Sequence, residues 1–189
     1  MVDQHLDAAQ YFLGRLCAPV CLGGRWVKWK PPSSGLKLNV DDSCTQGIMR
    51  GGGVSCDSGG SVHLAFSATF GMGNSLEAES QALLTRLIVC KSRGFPVSEV
   101  ESDSEALVKY VQGWSDAPWD LAYIIRRCAL ESNQGRLMLH SWRESNFVAN
   151  ALSRIGSPGD EVVIYGSLGI LPFEFTGFVI GDALCLYYF

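Results

Sequence analysis

Gly35-Leu36-Lys37-Leu38-Asn39-Val40-Asp41-Asp42 sets Leu36, Leu38 and Val40 on one side of an extended chain and Lys37, Asn39 and Asp41 on the other. That two-residue period predicts a strand with one buried face. The strand ends on two adjacent carboxylates, so Asp41 and Asp42 are held rigidly while their heads stay near water.

Working outward, a polar turn leads to a second expected strand, Ile48 to Cys56, whose Gly51-Gly52-Gly53 run calls for a bulge or the close approach of another backbone. No Gly-Lys-Ser/Thr follows it, so the glycines are not a phosphate loop. Asp57-Ser58-Gly59-Gly60 reads as a turn and Ser61 to Thr69 as a third strand, which makes an antiparallel meander. Upstream, Trp26 to Lys30 alternates apolar with basic residues, and Pro31-Pro32 with Ser33-Ser34-Gly35 forms a stiff turn into the opening strand. Residues 1–25 read as a connector, 26–155 as the domain, and 156–189 as an apolar tail packed on it.

After the meander the period changes. Leu76, Ala82, Leu83, Leu87 and Cys90 fall at helical spacings, the stripe of a helix packed on a sheet. Glu79 precedes Ala82 and Leu83 by three and four residues, so it lies on that stripe and points at the sheet, whereas Glu77 does not. A carboxylate on a buried helix face needs a partner or a cation. Beyond Gly94 and Pro96, Val97 to Asp103 is a short strand ending on an acid, and helices are expected over Ser104–Gly113, Trp119–Leu130 and Asn146–Arg154. Arg136 to Trp142 is a fifth strand. Asp103 stands at a strand-to-helix junction, where an N-cap is its alternative role. Trp114, Trp119 and Trp142 read as core residues rather than base-stacking platforms.

This order describes a mixed α/β domain in which a right-handed crossover sets the fourth strand parallel to, and beside, the first. Asp41, Glu79 and Asp103 then meet at one edge of the sheet without an evident cationic partner. Such a cluster repels itself unless a divalent cation is present, and oxygen-only ligands suit Mg²⁺ or Mn²⁺. Phosphoryl chemistry is the usual use of paired ions in such a site.

Bulk properties narrow the classes. The apolar fraction of 47% and charged fraction of 18% are those of a folded domain, and 189 residues suffice for one. A formal charge of −4 with no Lys/Arg block supplies no long-range pull on nucleic acid, so a polyanion must be held by local contacts or metal ions. Seven scattered cysteines and no signal-peptide pattern point to reduced thiols in an intracellular compartment, nuclear or cytoplasmic. Cys17 and Cys21 lack the second pair that a zinc site needs. Val162 to Phe189 is apolar, but Pro172, Glu174 and Asp182 interrupt it, so no membrane span is expected.

Six motifs in order resemble a known family: Trp29-Lys30-Pro31-Pro32, Leu36 to Asp41, Ala78-Glu79 with Ala82-Leu83, Val100-Glu101-Ser102-Asp103-Ser104, His140-Ser141-Trp142-Arg143-Glu144-Ser145-Asn146, and Val148-Ala149-Asn150-Ala151-Leu152. Over residues 26 to 155 the chain resembles a type 1 ribonuclease H domain of the plant retroelement-derived branch. The resemblance implies a ribonuclease H-like fold, with a five-stranded mixed sheet of three antiparallel and two parallel strands flanked by helices. It implies a monomer that hydrolyses the RNA strand of RNA–DNA hybrids with Mg²⁺ or Mn²⁺, two ions bridged by Asp41 and held by Glu79 and Asp103, with Asn150 as fourth ligand. Candidate substrate contacts are Asp42, Asn74, His140, Arg143 and Asn146, with Arg143 as the candidate for a phosphate contact and His140 for a proton shuttle near the fourth-ligand helix.

Two positions depart from the family. Asn150 stands where it has an acid, and a neutral amide attracts a cation less strongly. Asp42 stands where it has glycine, adding bulk and negative charge beside the substrate path. The alternative function is a catalytically silent module of the same fold that binds nucleic acid or protein.

Overall fold

In the computed structural model, which describes residues 20–22, 25–27, 29–133, 137–157, 159 and 161–165, two short strands, β1 (Val20–Leu22) and β2 (Arg25–Val27), pair antiparallel. The boundary expected at residue 26 falls inside this ribbon. Cys17, the zinc question attached to it, and the tail from residue 166 lie outside the described residues.

The main sheet contains β3 (Leu36–Thr45), β4 (Ile48–Cys56), β5 (Val62–Met72), β6 (Val97–Ser102), β7 (Met138–His140) and β8 (Val162–Tyr165), in the order β7-β6-β3-β4-β5-β8. β3, β4 and β5 form the antiparallel meander, and β6 lies parallel beside β3 with β7 parallel beyond it. The sheet has six strands rather than five. Val162-Val163-Ile164-Tyr165, expected as the start of a packed tail, is a β-favouring run that covers the open edge of β5.

Both faces of β3 are buried from Leu36 to Asp42, where the alternation predicts one. The polar second face is accommodated by pairing. Lys37 Nζ lies 3.0 Å from Glu99 and 2.7 Å from Glu101 and donates to Lys30 O. Asn39 accepts from Trp29 Nε1 at 2.8 Å and donates to Glu101 at 3.0 Å. A buried charge is tolerated only with such partners. Trp29, Lys37, Asn39 and Glu101, all within the motifs above, therefore tie β3 to β6 rather than act in a reaction.

The helices are α1 (Ser75–Ser92), α2 (Glu105–Val111), α3 (Ala122–Glu131) and α4 (Phe147–Ile155), with a 3₁₀ turn over Arg143–Ser145. Asn74 Oδ1 accepts from Glu77 N at 3.0 Å to cap α1, and Glu77 and Lys91 sit at the helix ends that suit their charges. Leu38, Val40 and Leu64 pack with Leu83, Leu87, Leu107 and Ile125 on one side of the sheet. Trp29, Val54 and Ala65 pack with Val148 and Leu152 of α4 on the other.

The triple glycine serves both layers. A Cβ on Gly51 would lie 2.6 Å from the Ala82 side chain of α1, and one on Gly52 would lie 2.2 Å from Ser153 N of α4. The expected close approach of another backbone is that of α4. Arg86 of α1 is wholly buried beneath the same sheet. Its Nη2 donates to Ser55 Oγ and Leu64 O, and its guanidinium stands 5.4 Å from the Phe66 ring, but Nε and Nη1 have no hydrogen-bond partner among the described residues. Burial pulls its pKa down to about 10. Among the described residues, no helix is long and apolar enough to cross a membrane.

Candidate active site

Asp41 and Asp42 leave β3 on opposite faces. Asp41 pairs with Gly52, whose face carries α4, and Asp42 pairs with Gly51, whose face carries α1. Ser75 Oγ, in the first turn of α1, donates to Asp42 Oδ2 at 2.7 Å. One turn later Glu79 is hydrogen-bonded to Asp42 and to Ser104. Ser104, not Asp103, caps α2, accepting from Leu107 N at 3.3 Å. Asp103 is thereby left free of the capping role and points its charge at Asp41, Asp42 and Glu79.

These four acids line a single cleft of about 420 Å³, whose wall also carries Ser43, Cys44, Thr45 and Ser75. Arg143, from the 3₁₀ turn, and Arg154, from the last turn of α4, complete it. The cleft is therefore acidic where β3, α1 and the end of β6 meet, and cationic on the α4 side.

Asp41 is 4% exposed; its Oδ1 accepts from Asp42 N at 2.8 Å, while Oδ2 has no hydrogen-bond partner among the described residues. Burial first, and then the charge of Asp103, push its pKa up to about 8, with Arg143 pulling weakly the other way. Burial pushes Glu79 up to about 8 as well, against the Ser104 hydrogen bond and with Asp42 and Asp103 adding to the rise. Asp42 is raised by burial, while its hydrogen bonds to Ser75 and Glu79 oppose the shift. Burial and mutual repulsion thus work against ionisation of Asp41, Asp42 and Glu79, and a cation set among them would offset both. Among the described residues no three His, Cys, Asp or Glu side chains surround a single point closely enough to ligate an ion.

The other residues singled out in the sequence are placed differently. Asn150 is 7% exposed and is not among the cleft residues. Asn146 is buried, its Nδ2 donating to Val40 O at 2.7 Å, which anchors α4 to β3. The side chain of Asn74 is engaged as a helix cap. His140 lies outside the cleft wall with its ring edge-on to Trp142 at 5.8 Å. The three tryptophans expected in the core are on the surface, Trp114 71%, Trp119 90% and Trp142 54% exposed. Each sits in a loop or at an element end, where helical or strand periodicity carries no information about burial. Arg154 and Ser75 escaped the sequence reading, although each stands four residues from a marked position, Asn150 and Glu79, and so on the same helix face.

Comparison with known proteins bears on this arrangement. The reverse transcriptase-like family matches residues 39–156. An Arabidopsis thaliana relative, "Putative ribonuclease H protein At1g65750", is 27% identical over 134 residues, which are 68% of this chain and 22% of the relative. The chain thus spans about a fifth of the length of that protein. Among solved structures, LC11-RNase H1 in complex with an RNA/DNA hybrid superimposes with a TM-score of 0.58 at 23% identity, over 64% of this chain and 95% of that one. RNase H1 from Halobacterium salinarum gives a TM-score of 0.57 at 23% identity, over 62% and 92%. Both likenesses establish the ribonuclease H fold.

Proposed function

Because this chain belongs to the reverse transcriptase-like family, with the match running over residues 39–156, we propose that it is a ribonuclease H-type hydrolase that cuts the RNA strand of an RNA–DNA hybrid with the help of Mg²⁺ or Mn²⁺. The observation that carries this reading is Asp41. It is a buried carboxylate with one unpartnered oxygen, set in a cleft with Glu79 and Asp103 and faced by two arginines. The Arabidopsis relative's name and the neighbour solved with a hybrid support the choice of substrate.

The donor set fits a hard divalent cation. All the acids offer oxygen, and among the described residues Asp41 Oδ2 has no hydrogen-bond partner. Asp41, Glu79 and Asp103 would hold the metal, their side chains drawing together around it. When bound, paired divalent ions supply an activated water and offset the charge of the leaving oxygen. The rest falls to the protein. Arg143 and Arg154 would grip the phosphate from the α4 side, Arg143 as a fork suited to two phosphate oxygens. Hydrolysis joins the water oxygen to phosphorus as the ester oxygen leaves and takes up a proton; His140, which stands outside the cleft wall against Trp142, would have to reach in to deliver it. A hybrid read by its minor-groove shape and 2′-hydroxyls needs no sequence-reading surface, which suits a chain without a basic patch.

The neutral Asn150, outside the cleft wall, favours a second reading in which the fold binds nucleic acid without cutting it. Incubation of a labelled RNA–DNA hybrid with the protein and Mg²⁺ or Mn²⁺ separates the two. The hydrolase reading expects cleavage by the wild type that Asp41→Asn abolishes. Binding without cleavage by the wild type, with cutting gained in Asn150→Asp, would establish the silent module instead.

A further inference from the structure

We propose that Asp42 is itself a ligand of the divalent cation at this site, so that the acid absent from α4 is supplied by the neighbour of Asp41 on β3. The inference rests on the metal-assisted reading above and goes beyond it, since the sequence marks Asp42 as a substrate contact that adds bulk and charge, and not as a metal ligand.

Three observations carry it. Asp42 lines the cleft with Asp41, Glu79 and Asp103, whereas Asn150 does not. Its carboxylate is oriented rather than loose: Ser75 Oγ holds Oδ2 at 2.7 Å, and Glu79 is hydrogen-bonded to it. An acid that merely repelled its neighbours would turn to solvent, yet Asp42 is 9% exposed and faces α1. Independently, Asp41 lines the same cleft, is 4% exposed, and among the described residues its Oδ2 has no hydrogen-bond partner, so a buried oxygen of the cleft wall stands ready for a ligand. Asp42 joins Glu79 on one face of β3 to Asp41 on the other, because adjacent strand residues point to opposite faces. Four carboxylates then meet one cleft, and their combined charge favours a hard divalent ion over water more than three would.

Mn²⁺ binding to the intact protein without nucleic acid, followed by titration calorimetry and by the manganese spin signal, tests this separately from cleavage. Asp42→Asn should loosen Mn²⁺ about tenfold or more, and Asn150→Asp should change affinity by less than about twofold, if ligand charge at Asp42 sets the affinity. Equal or tighter binding by Asp42→Asn overturns the proposal, as does a wild type that binds no Mn²⁺ up to about 10 mM. Should Asp42→Asn fail to fold by circular dichroism, Ser75→Ala, which keeps the acid and removes its anchor, should loosen Mn²⁺ by a smaller factor, and unchanged affinity there overturns it too. A wild type that binds Mn²⁺ through Asp42 but leaves a hybrid intact defeats the hydrolase reading alone. Hybrid cleavage with Mn²⁺ affinity unchanged in Asp42→Asn defeats this inference alone.

Discussion

Ser75 Oγ donates a 2.7 Å hydrogen bond to Asp42 Oδ2, so the first turn of α1 meets the tip of β3 through Asp42 and not through Asp41. The consequence is a division of labour between adjacent acids. Asp42 and Glu79 are linked on the α1 face, and Asp41 is left on the α4 face with an oxygen that no group among the described residues satisfies. The cost of ionising these buried acids governs both the stability and the chemistry expected of the cleft.

Asp41→Asn should separate the two. The amide still accepts from Asp42 N but carries no charge into a buried site, so the metal-free variant should melt at a higher temperature than the wild type. Hydrolysis should fall by about 100-fold or more, the scale of losing one well-placed electrostatic group. A melting temperature below the wild type's in metal-free buffer would show that the carboxylate is already compensated.

The pH dependence has a definite sign. Asp41 and Glu79 titrate near 8 in the folded chain, against ordinary values of 3.8 and 4.5. Between about pH 4 and 8 the unfolded chain has released both protons and the folded chain keeps them, so the folded state binds more protons and stability falls as pH rises. Melting temperatures of the metal-free protein should decline from pH 5 to 8 and level off above. Saturating Mg²⁺ should flatten the slope, and a combined Asp41→Asn, Glu79→Gln variant should remove it. A rising slope in metal-free buffer would contradict the burial of these acids.

Gly52→Ala probes the seating of α4. The added Cβ would lie 2.2 Å from Ser153 N and 2.5 Å from Leu152 C, both backbone atoms that cannot swing aside. Overpacking of this kind should destabilise the domain by about 3 kcal/mol in urea denaturation and shift Arg154 away from the cleft. A change under about 0.5 kcal/mol, as for an ordinary surface substitution, would mean that α4 is not held against β4.

Arg86→Met should stabilise. The guanidinium is wholly buried, and among the described residues two of its nitrogens have no hydrogen-bond partner and no carboxylate forms an ion pair with it, so an apolar side chain of similar length removes an uncompensated charge. A gain of about 1 kcal/mol or more is expected. A loss would show that the hydrogen bonds to Ser55 and Leu64 O outweigh the desolvation.

Much of this was legible in the chain because it rests on periodicity. The alternation at 36–42 located β3, the stripe around Leu83 put Glu79 on the buried face of α1, and the order of elements set β6 beside β3. The triple glycine announced a close approach, though not that α4 makes it. What the sequence could not display depends on tertiary placement. Lys37 and Asn39 read as solvent-facing until α4 and the Glu101 partnership bury them. The edge strand at Val162 was hidden in a general apolarity that suits a tail equally well. Asn150 and Asp42 are the instructive pair: the motif puts position 150 in the site, whereas the cleft wall carries Asp42, anchored there by Ser75.

The most direct test of the central claim is cleavage of an RNA–DNA hybrid labelled on the RNA strand, with the wild type and Asp41→Asn compared in Mg²⁺, in Mn²⁺ and in chelator. Metal-dependent cutting of the RNA strand by the wild type, lost in chelator and in Asp41→Asn, is the predicted result. An intact hybrid under every metal condition, or undiminished cutting by Asp41→Asn, would contradict it.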